Sequence, residues 1–242
     1  MTSEGVEKVL KISAGAALAL VILGAVLQRL GWLPFPLAFY IFGLGLLLCA
    51  LLALFTMGSV FRRLARKQAY RTQLNIGFLT TVPVALVLIT VGIDGFKAPP
   101  IHDISTDVHD PPRFQFAQAQ RRKGDNSLDY GGEELAKQQA KAYPDLKTVY
   151  LPGTKEQGLA LVRGTVEGLG WKVLGEDIDA GLLEAADTTP LMGFTDDVVI
   201  RVRALNDGVL IDLRSVSRVG ISDLGANARR IRRFVQELKL RY

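Results

Sequence analysis

The 242-residue sequence has few of the side chains from which metal and nucleophilic sites are usually built. It contains a single cysteine, Cys49, and two histidines. One cysteine excludes an intrachain disulfide, and also a thiolate zinc site or an iron–sulfur cluster made by this chain alone. The sequence also lacks a Gly-x-Ser-x-Gly elbow, a glycine-rich phosphate loop and a dinucleotide fingerprint. We therefore expect no cofactor.

An excess of basic residues is confined to the first part of the chain. Residues 1–96 contain 8 Lys or Arg and 3 Asp or Glu, whereas residues 97–242 contain 21 of each kind. A domain that binds a phosphate backbone needs a basic excess of its own. We therefore expect no nucleic-acid partner, and the basic surplus bears on membrane topology instead.

Three apolar runs lie in this first part, at about residues 9–30, 37–60 and 74–93, and their only charged residues, Lys11 and Arg29, lie near the ends of the first run. Runs of about 20 residues are long enough to cross a hydrocarbon core of about 30 Å. No ionisable side chain lies at membrane depth, which argues against a transport pathway.

The link between the second and third runs fixes the predicted orientation. It carries basic residues and no acid: Arg62, Arg63, Arg66, Lys67 and Arg71. By the positive-inside rule such a loop stays in the cytoplasm. The sequence thus predicts a multi-pass protein, integral to the lipid bilayer of the cell inner membrane. Its N-terminus is expected in the cytoplasm and its C-terminal domain in the periplasm.

The sequence divides where its composition changes. We expect a membrane domain at residues 1–96, a tether at residues 97–145 and a soluble α+β domain at residues 146–242. The tether carries the pairs Pro99-Pro100 and Pro111-Pro112, which restrict the preceding residues to extended conformations. A short helix is expected within the tether near residues 133–142.

Helical and strand patterns are clear after residue 146. Thr154 and Gln157 have the spacing of a capping box, which predicts the start of an amphipathic helix. Four strands are predicted, at residues 171–177, 181–187, 197–204 and 209–216. Asn206-Asp207-Gly208 is typical of the hairpin turn between the last two strands. A second helix is predicted at about residues 223–240, with Ser222 or Asp223 as its N-cap. The expected fold class is α+β: an antiparallel four-stranded sheet with two packing helices, in the order helix, four strands, helix.

Two segments carry a resemblance to a known family. They are Asp187–Arg203 and Asp212–Arg232, the second of which contains Arg-Ser-Val-Ser-Arg-Val-Gly. These segments resemble the bacterial family called domain of unknown function 1499. The segment Pro100–Asp107 resembles the opening of that domain in its membrane-anchored members. The resemblance covers most of residues 99–240, and it implies no established activity, ligand or catalytic residue.

The junction between the last strand and the last helix is the first candidate site. A helix N-terminus offers free backbone N–H groups and the positive end of a dipole, which suit an anion or a partner's carboxylate. The side chains expected to contribute are Arg214, Ser215, Ser217, Arg218, Ser222 and Asn227. In the alternative interpretation, Asp223 caps the helix and pairs with Arg218, so that the junction is only structural.

A cluster of histidines and carboxylates in the tether is the second candidate site. Its members are His102, Asp103, Asp107, His109 and Asp110. Imidazole and carboxylate are suitable ligands for zinc or another divalent metal. The spacing matches no familiar metal motif, however, and aspartates beside prolines usually stabilise local turns.

The last predicted helix is strongly basic. Its cationic residues are Arg229, Arg230, Arg232, Arg233, Lys239 and Arg241. Because the apolar stripe of this helix should face the sheet, we expect the arginines on the solvent side. There they either keep the surface hydrated or contact anionic lipid.

These observations favour a nonenzymatic, membrane-anchored module whose periplasmic domain binds a partner protein, a lipid or a small anion. The alternative is a membrane-tethered hydrolase or metal-dependent enzyme that uses the His102 and His109 cluster.

Overall fold

The computed structural model describes residues 3–242. The helices are α1 (Ser3–Leu30), α2 (Phe35–Ala65), α3 (Arg71–Phe96), α4 (Gly132–Ala142), α5 (Lys155–Gly168) and α6 (Ala226–Arg241). The strands are β1 (Asp103–Ser105), β2 (Val149–Pro152), β3 (Lys172–Asp177), β4 (Leu182–Thr188), β5 (Thr195–Ala204) and β6 (Gly208–Ser217). The chain divides into two compact units, one reaching to Gly92 together with Leu191–Gly193, and one formed by Ile93–Pro190 and Phe194–Tyr242.

The first unit consists of helices that are long and apolar enough to cross a membrane. Their most apolar stretches have mean hydropathies of 2.2, 2.6 and 2.3 for α1, α2 and α3. All three predicted runs are therefore confirmed as helices, and the chain is a membrane protein. Each helix also extends beyond its apolar run, and α3 is kinked at Gly92, whose φ of 70° is not helical.

Glycines let α1 and α2 approach each other closely. A Cβ on Gly24 would lie 2.5 Å from the backbone nitrogen of Phe42. A Cβ on Gly45 would lie 2.6 Å from the backbone nitrogen of Val21. Small residues at such crossings are how helices pack in lipid, where the hydrophobic effect does not drive association.

The second unit contains an antiparallel sheet with the strand order β1-β6-β5-β4-β3. β2 also pairs with β6, along Gly208–Ile211, while β1 pairs with the other end of β6, along Arg214–Val216. The sheet therefore has six strands rather than the predicted four. β1 and β2 are only 3 and 4 residues long, so they are too short for an alternating pattern to identify them.

Local signals in the sequence place most elements of this unit. The capping box is confirmed, since the Thr154 hydroxyl accepts from Gln157 N and the Gln157 side chain accepts from Thr154 N. The Asn206-Asp207-Gly208 hairpin is also confirmed, with Leu205 N donating to Gly208 O at 2.8 Å.

One face of the sheet carries α5 and α6 and the apolar core. Alternate residues of β5 and β6 point to this face, and the helices cover them with buried side chains such as Val162 and Phe234. The Trp171 and Phe234 rings stack here with centroids 5.7 Å apart. The expected arrangement of a sheet with two helices on one face is thus confirmed.

The segment 97–145 lies in the same compact unit as the sheet. It contributes β1, the 3-10 helix Ala117–Gln120 and α4, and Ile104 is fully buried in the core. This differs from the extended tether expected from its composition. The segment is held mainly through polar and charged side chains, and such contacts leave no apolar periodicity in a sequence.

Candidate functional site

The second face of the sheet carries buried charges instead of an apolar core. Its buried ionisable side chains are Asp103, Glu184, Asp197, Asp212 and Arg214, each at most 4% exposed. Residues 106–130, called here the covering segment, lie over this face. Buried charges are tolerated only when paired and hydrogen-bonded, so each of these side chains must have specific polar partners.

Arg214 is the most enclosed of these residues. Its Nε donates to Asp103 Oδ1 at 2.9 Å, and its Nη2 donates to Asp103 Oδ2 at 2.8 Å. The same guanidinium donates to the carbonyl of Leu128 at 2.8 Å, and it lies over the rings of Phe114 and Tyr130, at 5.4 and 5.2 Å from their centroids. Arg214 therefore joins β6 to β1 and to the covering segment, and its donors are directed to these internal partners.

A second ion cluster surrounds Asp197 on β5. Its carboxylate accepts from Arg121 Nε at 2.8 Å and from Arg218 Nη2 at 2.7 Å. Burial lowers the pKa of the Arg121 guanidinium, and the attraction of Asp197 opposes that change. Arg218 also donates to Gln120 O, so this predicted anion ligand holds the covering segment against the sheet.

A third cluster joins the start of the covering segment to β5 and β6. Asp212 accepts from Arg201 at 3.1 Å and from Arg203 at 2.7 Å. Asp107 accepts from the same two arginines, and Asp110 accepts from Arg201 at 2.9 Å. These three carboxylates are each engaged by a guanidinium.

The structure separates the predicted metal ligands. Asp103 pairs with Arg214, while Asp107 and Asp110 pair with Arg201, and His109 is exposed. His102 contributes its backbone carbonyl, which accepts from Ser217 N and from the Asn227 side chain at 2.9 Å each. Within residues 3–242 no three His, Cys, Asp or Glu side chains converge as a metal site would require. Metal binding by this cluster stays a prediction.

The predicted anion ligands are divided between the two faces of the sheet. Arg214 and Arg218 lie on the face of the covering segment, whereas Ser215 and Ser217 point to α6. Ser215 Oγ donates to Asn227 Oδ1 at 2.6 Å, and Asn227 Nδ2 donates to Ser217 Oγ at 3.0 Å. Successive side chains of a strand point to opposite faces, so these neighbours in sequence cannot form one site.

The N-terminus of α6 is occupied by a carboxylate of the chain itself. Asp223 accepts from Gly225 N and from Asn227 N, at 2.7 Å each. Burial raises the pKa of the Asp223 carboxyl, and the backbone hydrogen bonds oppose the rise. The N-cap position is Gly225, with φ 75°, rather than Ser222 or Asp223. Asp223 acts from two residues before the cap, and Ser222 Oγ accepts from Leu224 N at 3.3 Å.

Several charged residues of these networks, among them Asp187, Asp196 and Glu184, were not singled out by the sequence analysis. Arg230 on α6 is buried and pairs with Asp187 at 2.8 Å and with Asp196 at 2.5 Å. Glu184 on β4 accepts from the backbone nitrogens of Phe116 and Ala117, at 3.0 and 2.7 Å. The only available signal was the presence of acids inside apolar strands, as in Thr195-Asp196-Asp197-Val198.

The remaining basic groups of α6 form an exposed surface. Arg229 and Arg233 are exposed in its first two turns. Arg229 donates to the Leu224 carbonyl at 2.9 Å, and among residues 3–242 Arg233 has no ion-pair partner. Arg232 instead pairs with Asp145 at 2.6 Å. Four of the predicted solvent-side arginines, Arg229, Arg232, Arg233 and Arg241, are therefore at the surface, whereas Arg230 is in the interior.

The start of α6 lies beside the chain that follows α3. Asp223 N donates to Ile101 O at 3.2 Å. A Cβ on Gly225 would lie 3.7 Å from the Cβ of Ala98. The negative charge of Asp94, near the end of α3, raises the pKa of Arg232 in addition to the larger effect of its hydrogen bond with Asp145. The same Cβ on Gly225 would lie 3.2 Å from Arg229 Nη1, so Arg229 is close to the chain that follows α3.

Comparison with known proteins identifies one family. The model of the family described as Protein of unknown function (DUF1499) matches residues 103–238. The matched range begins at β1 and includes the covering segment, the whole sheet and most of α6. No curated protein matches the chain significantly.

Proposed function

This chain belongs to the DUF1499 family, and from that premise we propose that it is a noncatalytic, membrane-anchored module that binds anionic lipid through α6. In this proposal residues 1–96 anchor the chain in the inner membrane, and the folded part that follows lies in the periplasm. The basic link between α2 and α3 supports that orientation.

The position of Arg229 and Arg233 carries the proposal. Both are exposed in the first two turns of α6, and this helix begins against residues 98–101. Those residues follow the end of α3 at Phe96 directly, so α6 begins against the stretch of chain that comes immediately after the predicted membrane span. A Lys or Arg close to an anionic membrane surface gains about 1 kcal/mol of binding free energy.

The internal networks argue for lipid rather than a small soluble anion. The polar groups of the predicted anion site are engaged within the domain, and Asp223 already accepts from the N–H groups at the start of α6. The arginines on the outer face of α6 remain directed to solvent. Their guanidinium groups can pair with the phosphates of a lipid membrane surface.

Lipid retention by the purified full chain tests the proposal. Native mass spectrometry in mild detergent would compare phosphatidylglycerol with phosphatidylcholine on the wild type and on the Arg229→Gln, Arg233→Gln double variant. Loss of two interfacial charges should weaken phosphatidylglycerol binding about 10- to 30-fold. The control is Arg122→Gln, Lys123→Gln, which removes two exposed charges from the covering segment.

The control is expected to retain phosphatidylglycerol as the wild type does. Equal retention by all three proteins would contradict the proposal, because the bound lipid would then be held by other groups, such as the basic link between α2 and α3.

A further inference from the structure

The loop between β6 and α6 exposes apolar side chains to solvent. Ile221 is 81% exposed and Leu224 is 37% exposed. Leu224 also has φ 50°, a left-handed backbone conformation that is disfavoured for residues with a branched side chain. Ile221 thus points away from the domain, and the loop backbone is strained at Leu224.

Hydrogen bonds fix the loop on both sides. Asn126 Nδ2 donates to Gly220 O at 2.8 Å, and Asp223 N donates to Ile101 O at 3.2 Å. Ser222 Oγ donates to Pro99 O at 3.5 Å. The exposed apolar residues are thus carried on a loop that is anchored to the covering segment and to the chain after α3.

The loop is close to the end of a membrane-spanning helix. Pro99 is three residues beyond Phe96, the last residue of α3, so even an extended chain separates them by only about 11 Å. Ile93 and Phe96, which belong to the same compact unit as the sheet, are also 76% and 57% exposed. Both segments therefore expose apolar side chains within one compact unit, a short stretch of chain after the membrane-spanning part of α3.

We infer that Ile221 and Leu224 insert into the interfacial layer of the bilayer that α3 leaves, while Arg229 and Arg233 contact its phosphates. Apolar side chains flanked by arginines are the combination that docks surfaces onto membranes, since the apolar groups enter the acyl boundary and the charges stay at the headgroups. This inference rests on the proposed lipid-binding function and names the part of the domain that enters the lipid.

The single cysteine permits a direct test. Cys49 is replaced by alanine, and a nitroxide label is attached to Ile221→Cys in the full chain, reconstituted in vesicles of phosphatidylcholine and phosphatidylglycerol. Power saturation with oxygen and with a water-soluble nickel complex reports whether the label lies in lipid or in water. Because Ile221 is largely exposed, its replacement removes little packing.

The matched control is a label at Ile178→Cys, which replaces another isoleucine that is 66% exposed. Ile178 lies next to Asp177 at the end of β3. Across the sheet, Asp177 is in register with Leu182 on β4, Arg201 on β5 and Asp212 on β6. The loop begins after Ser217, five residues further along β6, so the two labels lie at opposite ends of the sheet, separated by about 17 Å or more.

A label at position 221 should show a several-fold higher ratio of oxygen to nickel accessibility than a label at position 178. The same aqueous profile at both positions would overturn the inference. A label at 221 that is shielded from both reagents would also overturn it, since the loop would then contact protein instead of lipid.

Adding Arg229→Gln and Arg233→Gln to the labelled chain distinguishes the binding of anionic lipid through α6 from the insertion of the loop into the bilayer. If the label at 221 stays in lipid while phosphatidylglycerol selectivity is unchanged by these substitutions, the insertion is correct and the proposed function fails. If selectivity is lost but the wild-type label has the aqueous profile, the proposed function is supported and the insertion is refuted.

Discussion

The Tyr130 hydroxyl is buried without a hydrogen-bond partner among the described residues, although its ring stacks on the Arg214 guanidinium. Burial raises the pKa of this hydroxyl to about 12, and the nearby Asp103 carboxylate adds to the rise. In the unfolded chain a tyrosine releases its proton near pH 10. Between these values the native state binds more protons than the unfolded state, so stability falls as the pH rises.

We predict that Tyr130→Phe keeps the ring contact and removes this alkaline loss of stability. At pH 7 its free energy of unfolding should equal or exceed that of the wild type, because an unpaired buried hydroxyl costs about 1–3 kcal/mol. Guanidinium unfolding of the full chain at pH 7 and pH 11 would be followed by Trp171 fluorescence in a Trp32→Phe background. Tyr242→Phe, at an exposed position, is the control. A marked destabilisation of Tyr130→Phe at pH 7 would mean that the hydroxyl has a bonding partner.

The sequence identified residues that take part in polar networks, but it did not show toward which face of the sheet each side chain points. Sequence reasoning selected Arg214, Ser215, Ser217 and Asn227, and all four take part in buried hydrogen-bond networks. It treated them as one constellation, whereas the alternation of strand β6 sends Arg214 to one face and Ser215 to the other. The partners that decide the role of Arg214, such as Asp103 and Leu128, come from more than 80 positions away, and no local pattern contains them.

At the scale of elements, a single carboxylate fixes the middle of the covering segment. Glu184 is fully buried and accepts from three successive backbone nitrogens, those of Gln115, Phe116 and Ala117. We predict that Glu184→Ala leaves these N–H groups unpaired and lowers the free energy of unfolding by about 2–4 kcal/mol. Hydrogen–deuterium exchange of residues 115–117 should become much faster, and Glu184→Gln, which keeps one acceptor oxygen, should lie between the two.

Glu133→Ala is the control for this prediction, since that side chain is 90% exposed and pairs with Lys137 on its own helix. Its exchange at residues 115–117 should match the wild type. Unchanged exchange in Glu184→Ala would show that the apolar contacts of the covering segment suffice to hold it.

Elements with strong local signals were predicted well, and those held by distant contacts were not. The capping box of α5, the hairpin before β6 and the apolar helices all depend on neighbours within one or two turns of chain. β1 depends instead on its pairing with Arg214–Val216, and the covering segment depends on ion pairs with β5 and on hydrogen bonds with β4 and β6. Such contacts leave no periodic pattern in the sequence, which is why residues 97–145 were predicted to form a tether.

At the scale of the whole molecule, the basic link between α2 and α3 governs orientation. Arg62 and Arg63 lie in the last turn of α2, and Arg71 begins α3. Moving this charge cluster across a bilayer is unfavourable, so we predict that the link stays in the cytoplasm and that the sheet-containing unit lies outside. The single-cysteine chains already required for labelling provide the measurement.

In the Cys49→Ala background, a membrane-impermeant maleimide applied to intact spheroplasts should modify Ile178→Cys and should spare Gln68→Cys, which is exposed in the basic link. After permeabilisation both positions should react, which shows that each cysteine is accessible in the folded protein. Labelling of Gln68→Cys alone in intact spheroplasts would invert the topology. The arginines of α6 and the loop with Ile221 would then face the cytoplasmic leaflet, and the proposed role at the outer surface would have to be abandoned even if both segments bind lipid.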